Sequence, residues 1–252
     1  MVSALSLEWC PAWRRTRRRT RRTNPRRAED AGCEAVVLTV DVPWMGRRRR
    51  DVRNRFVLPG HVRAANLTTT AAAPWTTEPA AGDTAHRRLA DASAVAEHTS
   101  RTFSSSLTWA SVEVLRRSTR LPLVLKGVLS PEDALRAAEC GCDAVVVSNH
   151  GGRQLDGAVP SIDALAGLVS AVGATCEVLP DSGVRGGTDV LKALAMGAHG
   201  VLVGRPVIWG LSTAGEAGVR QVLELLADEL RDALGLSGCG GVDEARRLRA
   251  VR

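Results

Sequence analysis

From residue 121 onward the chain repeats one pattern: a short apolar run, a polar or glycine-rich turn, then an amphipathic stretch closed by glycine. Leu121–Val128 is a continuous apolar run interrupted by Lys126 and Gly127, as a strand buried on both faces requires. Ser130-Pro131-Glu132-Asp133 predicts a helix start, with Ser as N-cap, Pro in the first turn and two acids at the positive end of the helix dipole. Gly141 suits the left-handed position that closes such a helix. Further strands are expected at 143–149, 176–181 and 199–204, with helices at 161–172 and 188–196. Strand starts at 121, 143, 176 and 199 lie 22, 33 and 23 residues apart. Units this short predict a parallel sheet with right-handed crossovers.

Upstream, Glu34–Asp41 has the same character as these strands. The stretch 60–108 is rich in Ala, Thr and Pro and reads as a long mobile βα loop, followed by a helix at 109–118 capped by Thr108. A longer amphipathic helix is expected at 214–234 and a polar one at the end. A closed (β/α)8 barrel needs eight strands and about 250 residues. The chain has 252 residues but only five segments that read as strands. The expected fold is therefore α/β, of the (β/α)8 TIM-barrel type, incomplete, with about five βα units.

Charge divides the chain at residue 30. Residues 1–30 hold nine Arg against Glu8, Glu29 and Asp30, a net +6 of the total +7. They are expected to be a basic disordered leader, ahead of one domain over 31–252. A basic tail is also a candidate contact for nucleic acid or anionic lipid. Only Trp9 and Trp13 interleave its charges, which makes this the weaker reading. No run of 18 apolar residues is present and the Arg-rich start has no apolar core of a signal peptide, so the expected location is cytoplasmic, with no membrane partner.

Polar residues gather where the strands run out: Thr39 and Asp41, Lys126, Ser148 and His150, Asp181, and Gly204-Arg205. In a parallel β/α barrel those ends form the active-site face. Lys126 and Lys192 are the only lysines beside 32 Arg, so an ammonium at a strand end points to chemistry that a guanidinium does not serve. Six Cys form no CxxC pair and no zinc spacing, which predicts no metal site. Cys140 and Cys142 flank Gly141 at a helix-to-strand turn and read as small packing residues.

Three segments then carry a family resemblance. Leu38-Thr39-Val40-Asp41-Val42-Pro43 with the Arg47–Arg50 run, Ser148-Asn149-His150-Gly151-Gly152-Arg153-Gln154-Leu155-Asp156, and Asp181-Ser182-Gly183-Val184-Arg185-Gly186-Gly187 with Gly204-Arg205-Pro206 stand in order along the chain. Together they resemble the FMN-dependent 2-hydroxy-acid oxidases and dehydrogenases, over roughly residues 31–58 and 102–240. The resemblance implies FMN as cofactor, oxidation of a 2-hydroxy acid to a 2-oxo acid, and oxygen as electron acceptor. It implies His150 as the base, Asp41 as partner of the resulting imidazolium, and Arg48 and Arg153 as the forks that hold the substrate carboxylate. Lys126 would face the flavin pyrimidine, and Thr39 and Ser148 would bond the ring. Asp181, Ser182, Gly183, Val184, Arg185, Gly204 and Arg205 would form the cofactor's ribityl and phosphate site, with the N–H groups of Gly183–Arg185 and of Gly204-Arg205 as its cradle and both Arg side chains adding charge. A homo-oligomer is a further implication. Trp44 is read equally as a pocket lining or as packing, while His61, His86, His98 and His199 are read as structural.

The family places three βα units before the strand ending at Asp41, and no segment here reads as those units. Its two substrate-contacting tyrosines have no counterpart, because the chain contains no Tyr. An inactive family member that at most binds FMN is the corresponding alternative.

Overall fold

The computed structural model describes residues 4–7, 23–43, 46, 49–55 and 107–248. Five strands form one parallel sheet: β1 (Ala4–Leu7), β2 (Ala35–Thr39), β3 (Leu123–Val128), β4 (Ala144–Val147) and β5 (Glu177–Pro180). Their spatial order is their sequence order. A doubly wound sheet reverses direction at a switch point, whereas a barrel adds each strand beside the last. The sheet is thus an arc of the (β/α)8 type.

Helix α1 (Thr23–Asp30) precedes β2, and the short α2 (Arg49–Arg53) follows it. The crossovers are α3 (Trp109–Arg116) before β3, α4 (Pro131–Glu139) before β4, α5 (Ser161–Val172) before β5 and α6 (Gly187–Ala195) after it. The caps follow the local chemistry. Ser130 accepts the N–H of Asp133 at the start of α4, and Ser111 reaches back to the N–H of Thr108 at 3.4 Å. Strand residues that point toward the helices are sealed: Leu38, Leu123, Leu125, Val145, Val147 and Val178 pack with Leu115, Ala134, Leu165, Leu168 and Val172 in one core. On the opposite face, which a closed barrel would bury, Val37, Val124 and Leu179 are only half-buried.

Three expectations change. Within the expected leader, Ala4–Leu7 pairs with β2 in parallel and Thr23–Asp30 is helical, with Ala28 in the core. A four-residue apolar run too short to register as a strand by itself gains its hydrogen bonds from the neighbouring β2. The strand expected at 199–204 is not a regular one. His199 donates to the Val178 carbonyl and Leu202 to that of Pro180, a step of three residues against two. The Val178 N–H is taken by Nδ1 of His199 rather than by a backbone carbonyl, which breaks the ladder at its first rung. Helix α7 (Arg205–Leu236) bends sharply at Ala214 and Gly215 (φ 58°): its second part is the helix expected at 214–234, and an unexpected first part starting at Arg205 precedes it. Its two parts meet backbone to backbone, since a Cβ on Gly210 would lie 2.5 Å from the Gly218 carbonyl oxygen. The closing polar helix is a 3-10 segment, Val242–Arg247. Of the loop expected over 60–108, all but 107 and 108 lies outside the described residues. No helix among the described residues is long and apolar enough to cross a membrane.

Candidate active site

The ends of β2, β3, β4 and β5 meet through hydrogen bonds between side chains far apart in sequence. At the end of β2, Thr39 is buried and in register with Lys126 of β3. Val40 continues the ladder, donating to the Lys126 carbonyl at 2.8 Å. Asp41 then lies directly against Gly127. A Cβ at Gly127 would stand 2.6 Å from both Cβ and Cγ of Asp41, and Gly127 has φ +104°. Only glycine meets both demands, a left-handed backbone and no side chain.

That fit sets Asp41 against the base. Nδ1 of His150 is 3.1 Å and 3.2 Å from the two Asp41 carboxylate oxygens. A carboxylate accepts, so it selects the tautomer with hydrogen on Nδ1 and leaves the Nε2 lone pair for a substrate proton. Nε2 has no hydrogen-bond partner among the described residues. The pair is largely but not wholly shielded, with side-chain exposures of 23% and 13%.

His150 sits in an unusual turn. Residues 150, 151 and 152 all have positive φ, at 56°, 66° and 69°. For a histidine that conformation is strained, and it persists only where its surroundings hold it. Three successive N–H groups point to one side of such a turn, and each finds a different side-chain oxygen. His150 N–H donates to Ser148 Oγ at 3.0 Å, Gly151 N–H to Ser182 Oγ at 2.8 Å, and Gly152 N–H to Asn149 Oδ1 at 3.3 Å. Arg205 holds the other side of the same peptide, donating to the Gly151 carbonyl at 3.3 Å.

Lys126 is enclosed by the same group. Its ammonium donates to Asp181 Oδ2 at 2.8 Å and to Ser148 Oγ at 3.0 Å. Asp181 in turn accepts from Ser182. One connected network therefore runs from the ammonium through Asp181 and Ser182 to the turn carrying His150.

Beyond Ser182 (φ 68°) the chain opens out. Gly183 has φ +103°, and a Cβ there, or at Gly204, would meet nothing within 4 Å. Val184 is buried. The expectation that the Arg185 N–H joins a phosphate cradle is corrected. Asp189 Oδ2 takes that N–H at 2.9 Å and the N–H of Gly186 at 3.1 Å, and Glu229 takes the N–H of Gly187 at 2.8 Å. Carboxylates thus occupy the junction into α6. The N–H groups of Gly183 and Val184 and the Arg185 and Arg205 side chains remain to meet an anion.

Arg153 follows the base turn and is exposed, its N–H donating to the His150 carbonyl at 3.3 Å. Arg48 and Trp44 lie outside the described residues. Gly46, just before Arg48, packs on the residue after Arg153. Its N–H donates to Gln154 Oε1 at 2.7 Å, and a Cβ there would lie 2.6 Å from the Arg153 carbonyl oxygen. The loop after β2 is thereby pinned to the loop after β4.

The structure brings Asp41, Lys126, Ser148, His150, Asp181, Ser182 and Arg205 into direct contact. Sequence reasoning missed Gly127, Gln154, Asp189 and Glu229 as the residues that set these positions. Gly127 alone gave a signal, as a glycine inside a strand.

The comparisons agree with this arrangement. A model of the family described as FMN-dependent dehydrogenase matches residues 8–251. A 4-hydroxymandelate oxidase from Amycolatopsis orientalis is 60% identical over 223 residues, covering 88% of this chain and 59% of the relative. An L-lactate oxidase from Nostoc sp. is 46% identical, covering 95% of this chain and 62% of the relative. A crystal structure of mandelate oxidase with (S)-4-hydroxymandelic acid superposes with a TM-score of 0.82 at 56% identity, covering 97% of this chain and 64% of the other. The chain spans about three fifths of the length of these relatives. A parallel sheet of barrel type, a base turn tied to an acid two strands away and a family match over nearly the whole sequence lead to one assignment: the chain belongs to the FMN-dependent dehydrogenase family.

Proposed function

We propose that the chain oxidises a 2-hydroxy acid to a 2-oxo acid with FMN, and that oxygen reoxidises the cofactor. The observation that carries this reading is the His150–Asp41 pair on the rim that also holds Lys126. An imidazole with one nitrogen fixed by a carboxylate and the other free is a proton acceptor of defined direction. An ammonium on the same rim serves a group that gains negative charge during the reaction.

The residues present fit FMN. The backbone at Gly183 and at Gly204 is open, with nothing within 4 Å of where a Cβ would stand, and Arg185 and Arg205 lie within two residues of these glycines in the sequence. Gly183 and Val184 N–H groups with Arg185 and Arg205 would hold the phosphate. Asp181 and Ser182 would face the ribityl chain, and Thr39, Lys126 and Ser148 the ring. When bound, the cofactor supplies acceptance of two electrons. His150 takes a proton from the hydroxy acid at Nε2, while Asp41 keeps the ring oriented and Arg153 with Arg48 grips the carboxylate in fork geometry. The name of the 60% identical relative makes 4-hydroxymandelate the first substrate to test.

A second reading, an FMN binder without turnover, is favoured by one fact: no residue of this sequence can supply a phenol to the substrate. One experiment separates the two. Purified protein is loaded with FMN, its flavin-to-protein ratio is measured, and 4-hydroxymandelate, mandelate, lactate and glycolate are added without oxygen. Bleaching by any of them supports oxidation. Stoichiometric yellow protein that none bleaches supports the second reading, and protein that takes up no flavin overturns both.

A further inference from the structure

Arg185 is a poor anion ligand if left to itself. It is exposed, and its long side chain has many conformations to lose on gripping a phosphate. The backbone near it offers little help, since Asp189 and Glu229 consume the N–H groups of residues 185 to 187. The structure nonetheless gives this guanidinium one direction. Its NH1 donates to the Val184 carbonyl at 2.8 Å, and its Cζ stands 5.0 Å over the ring of Trp209. Guanidinium stacking on indole is the strongest of the common cation–aromatic pairings.

Trp209 is an exposed aromatic among the described residues. It lies on the first part of α7 with 54% of its surface exposed, outside both apolar clusters. It is four residues after Arg205, and positions i and i+4 share one helix face. One face of α7 thus presents Arg205, which reaches the Gly151 carbonyl, and an indole that carries the guanidinium of Arg185. Each cation stands next to an open stretch of backbone in the chain: Arg185 is two residues after Gly183 and Arg205 follows Gly204, and a Cβ at either glycine would meet nothing within 4 Å.

We propose that Trp209 is a positioning residue for the phosphate of FMN, acting through Arg185: its indole face holds the guanidinium in the orientation that the phosphate needs. This rests on the FMN reading above and adds a residue to it. The proposal makes a selective demand. Trp209 matters to a ligand with a phosphate and not to the same ring system without one.

Riboflavin is that control. FMN and riboflavin affinities are measured by flavin fluorescence at fixed ionic strength for the unaltered chain, Trp209→Leu, Trp209→Phe, Arg185→Leu and the double variant Arg185→Leu/Trp209→Leu. The expected result is preference for FMN in the unaltered chain and FMN affinity lowered roughly fivefold in Trp209→Leu, with riboflavin affinity unchanged. Trp209→Phe, which keeps an aromatic face, retains most of the affinity. In the Arg185→Leu background the second substitution has no further effect, because the group it acts through is gone. Equal losses for FMN and riboflavin would show a structural role and overturn the proposal, as would unchanged FMN affinity in Trp209→Leu. If the unaltered chain shows no preference for FMN over riboflavin, the phosphate site itself falls and this inference falls with it.

Discussion

Both rims of the sheet carry polar side chains, yet they use them in different ways. At the rim where the strands begin, Arg116 donates to the carbonyls of Gly141, Thr119 and Leu121 and to Asp143, which also accepts the N–H of Leu123. Apart from that one ion pair, its hydrogen bonds go to main chain, and the guanidinium closes three loop ends at once. At the rim where the strands finish, side chains also bond one another across strands: Asp41 to His150, Lys126 to Asp181 and Ser148. The first network commits both terminal nitrogens of the guanidinium to fixed loop ends, so it holds. The second ends on an imidazole nitrogen without a partner among the described residues, so it can do chemistry. Polarity at a strand end therefore does not identify a site; an unspent group within a satisfied network does.

Removing that group tests the contrast most severely. With FMN bound and a bleaching substrate in hand, His150→Ala is expected to slow flavin reduction by about 10³-fold, within the range for loss of a general base, while the yellow colour remains. An unchanged rate would remove His150 from the role. Next is Gly127→Ala. The new Cβ would require Asp41 to move, and a non-glycine residue at φ +104° is strained in any case. Reduction is expected to slow about 10-fold to 100-fold through the displaced Asp41, in folded protein that still binds flavin. A rate equal to that of the unaltered chain would show that Asp41 needs no such fit.

The opposite rim should respond in the reverse sense. Arg116→Leu leaves three backbone carbonyls without their donor and Asp143 with only the Leu123 N–H, at a cost of about 2–3 kcal/mol of stability. Urea unfolding checks this, and the rate of flavin reduction should not change. A slower rate with unchanged stability would erase the distinction between the rims.

What could be read in the sequence divides along the same line. The strands from 121 to 181 and the caps at Thr108 and Ser130 were legible because hydrophobic runs and capping residues are local signals. The meeting of Asp41 with His150 was legible only through the resemblance, since 109 residues separate them. Gly46 on Gln154 and Glu229 on the N–H of Gly187 were not legible, because nothing local marks which carboxylate or glycine a distant loop will meet. β1 was hidden because Ala4–Leu7 lies beside an Arg-rich stretch that dominates composition. The irregular 199–204 segment was missed because its register is broken by a side chain, His199, and not by a proline or a bulge glycine.

The smallest expected effect also belongs to the rim that only holds. Cys142 and Cys176 are buried there, and the Cys176 thiol lies 3.6 Å from the Cys142 carbonyl. Burial is the main cause that pushes Cys142 up to about 12, with Cys176 beside it adding to the rise. Burial likewise pushes Cys176 up to about 11, helped by Asp143 and Glu177. In the unfolded chain both return to the ordinary thiol value of 9.0. The raised folded values mean that the native state keeps these protons. Its stability is therefore undiminished by them below pH ~9 and declines as pH rises from there toward the folded values. From pH 8 to 9.5 the two together should remove about 1.5 kcal/mol. The chain has no Tyr and only two Lys to titrate in this range, and the Cys140 thiol, also raised by burial, contributes a smaller part of the decline. Urea unfolding across that range should show the decline, and Cys142→Ala/Cys176→Ala should flatten most of it. Thiol reagents should reach these two sulfurs only after denaturation. Rapid labelling of either in the native protein at pH 8 would mean that this rim opens without global unfolding.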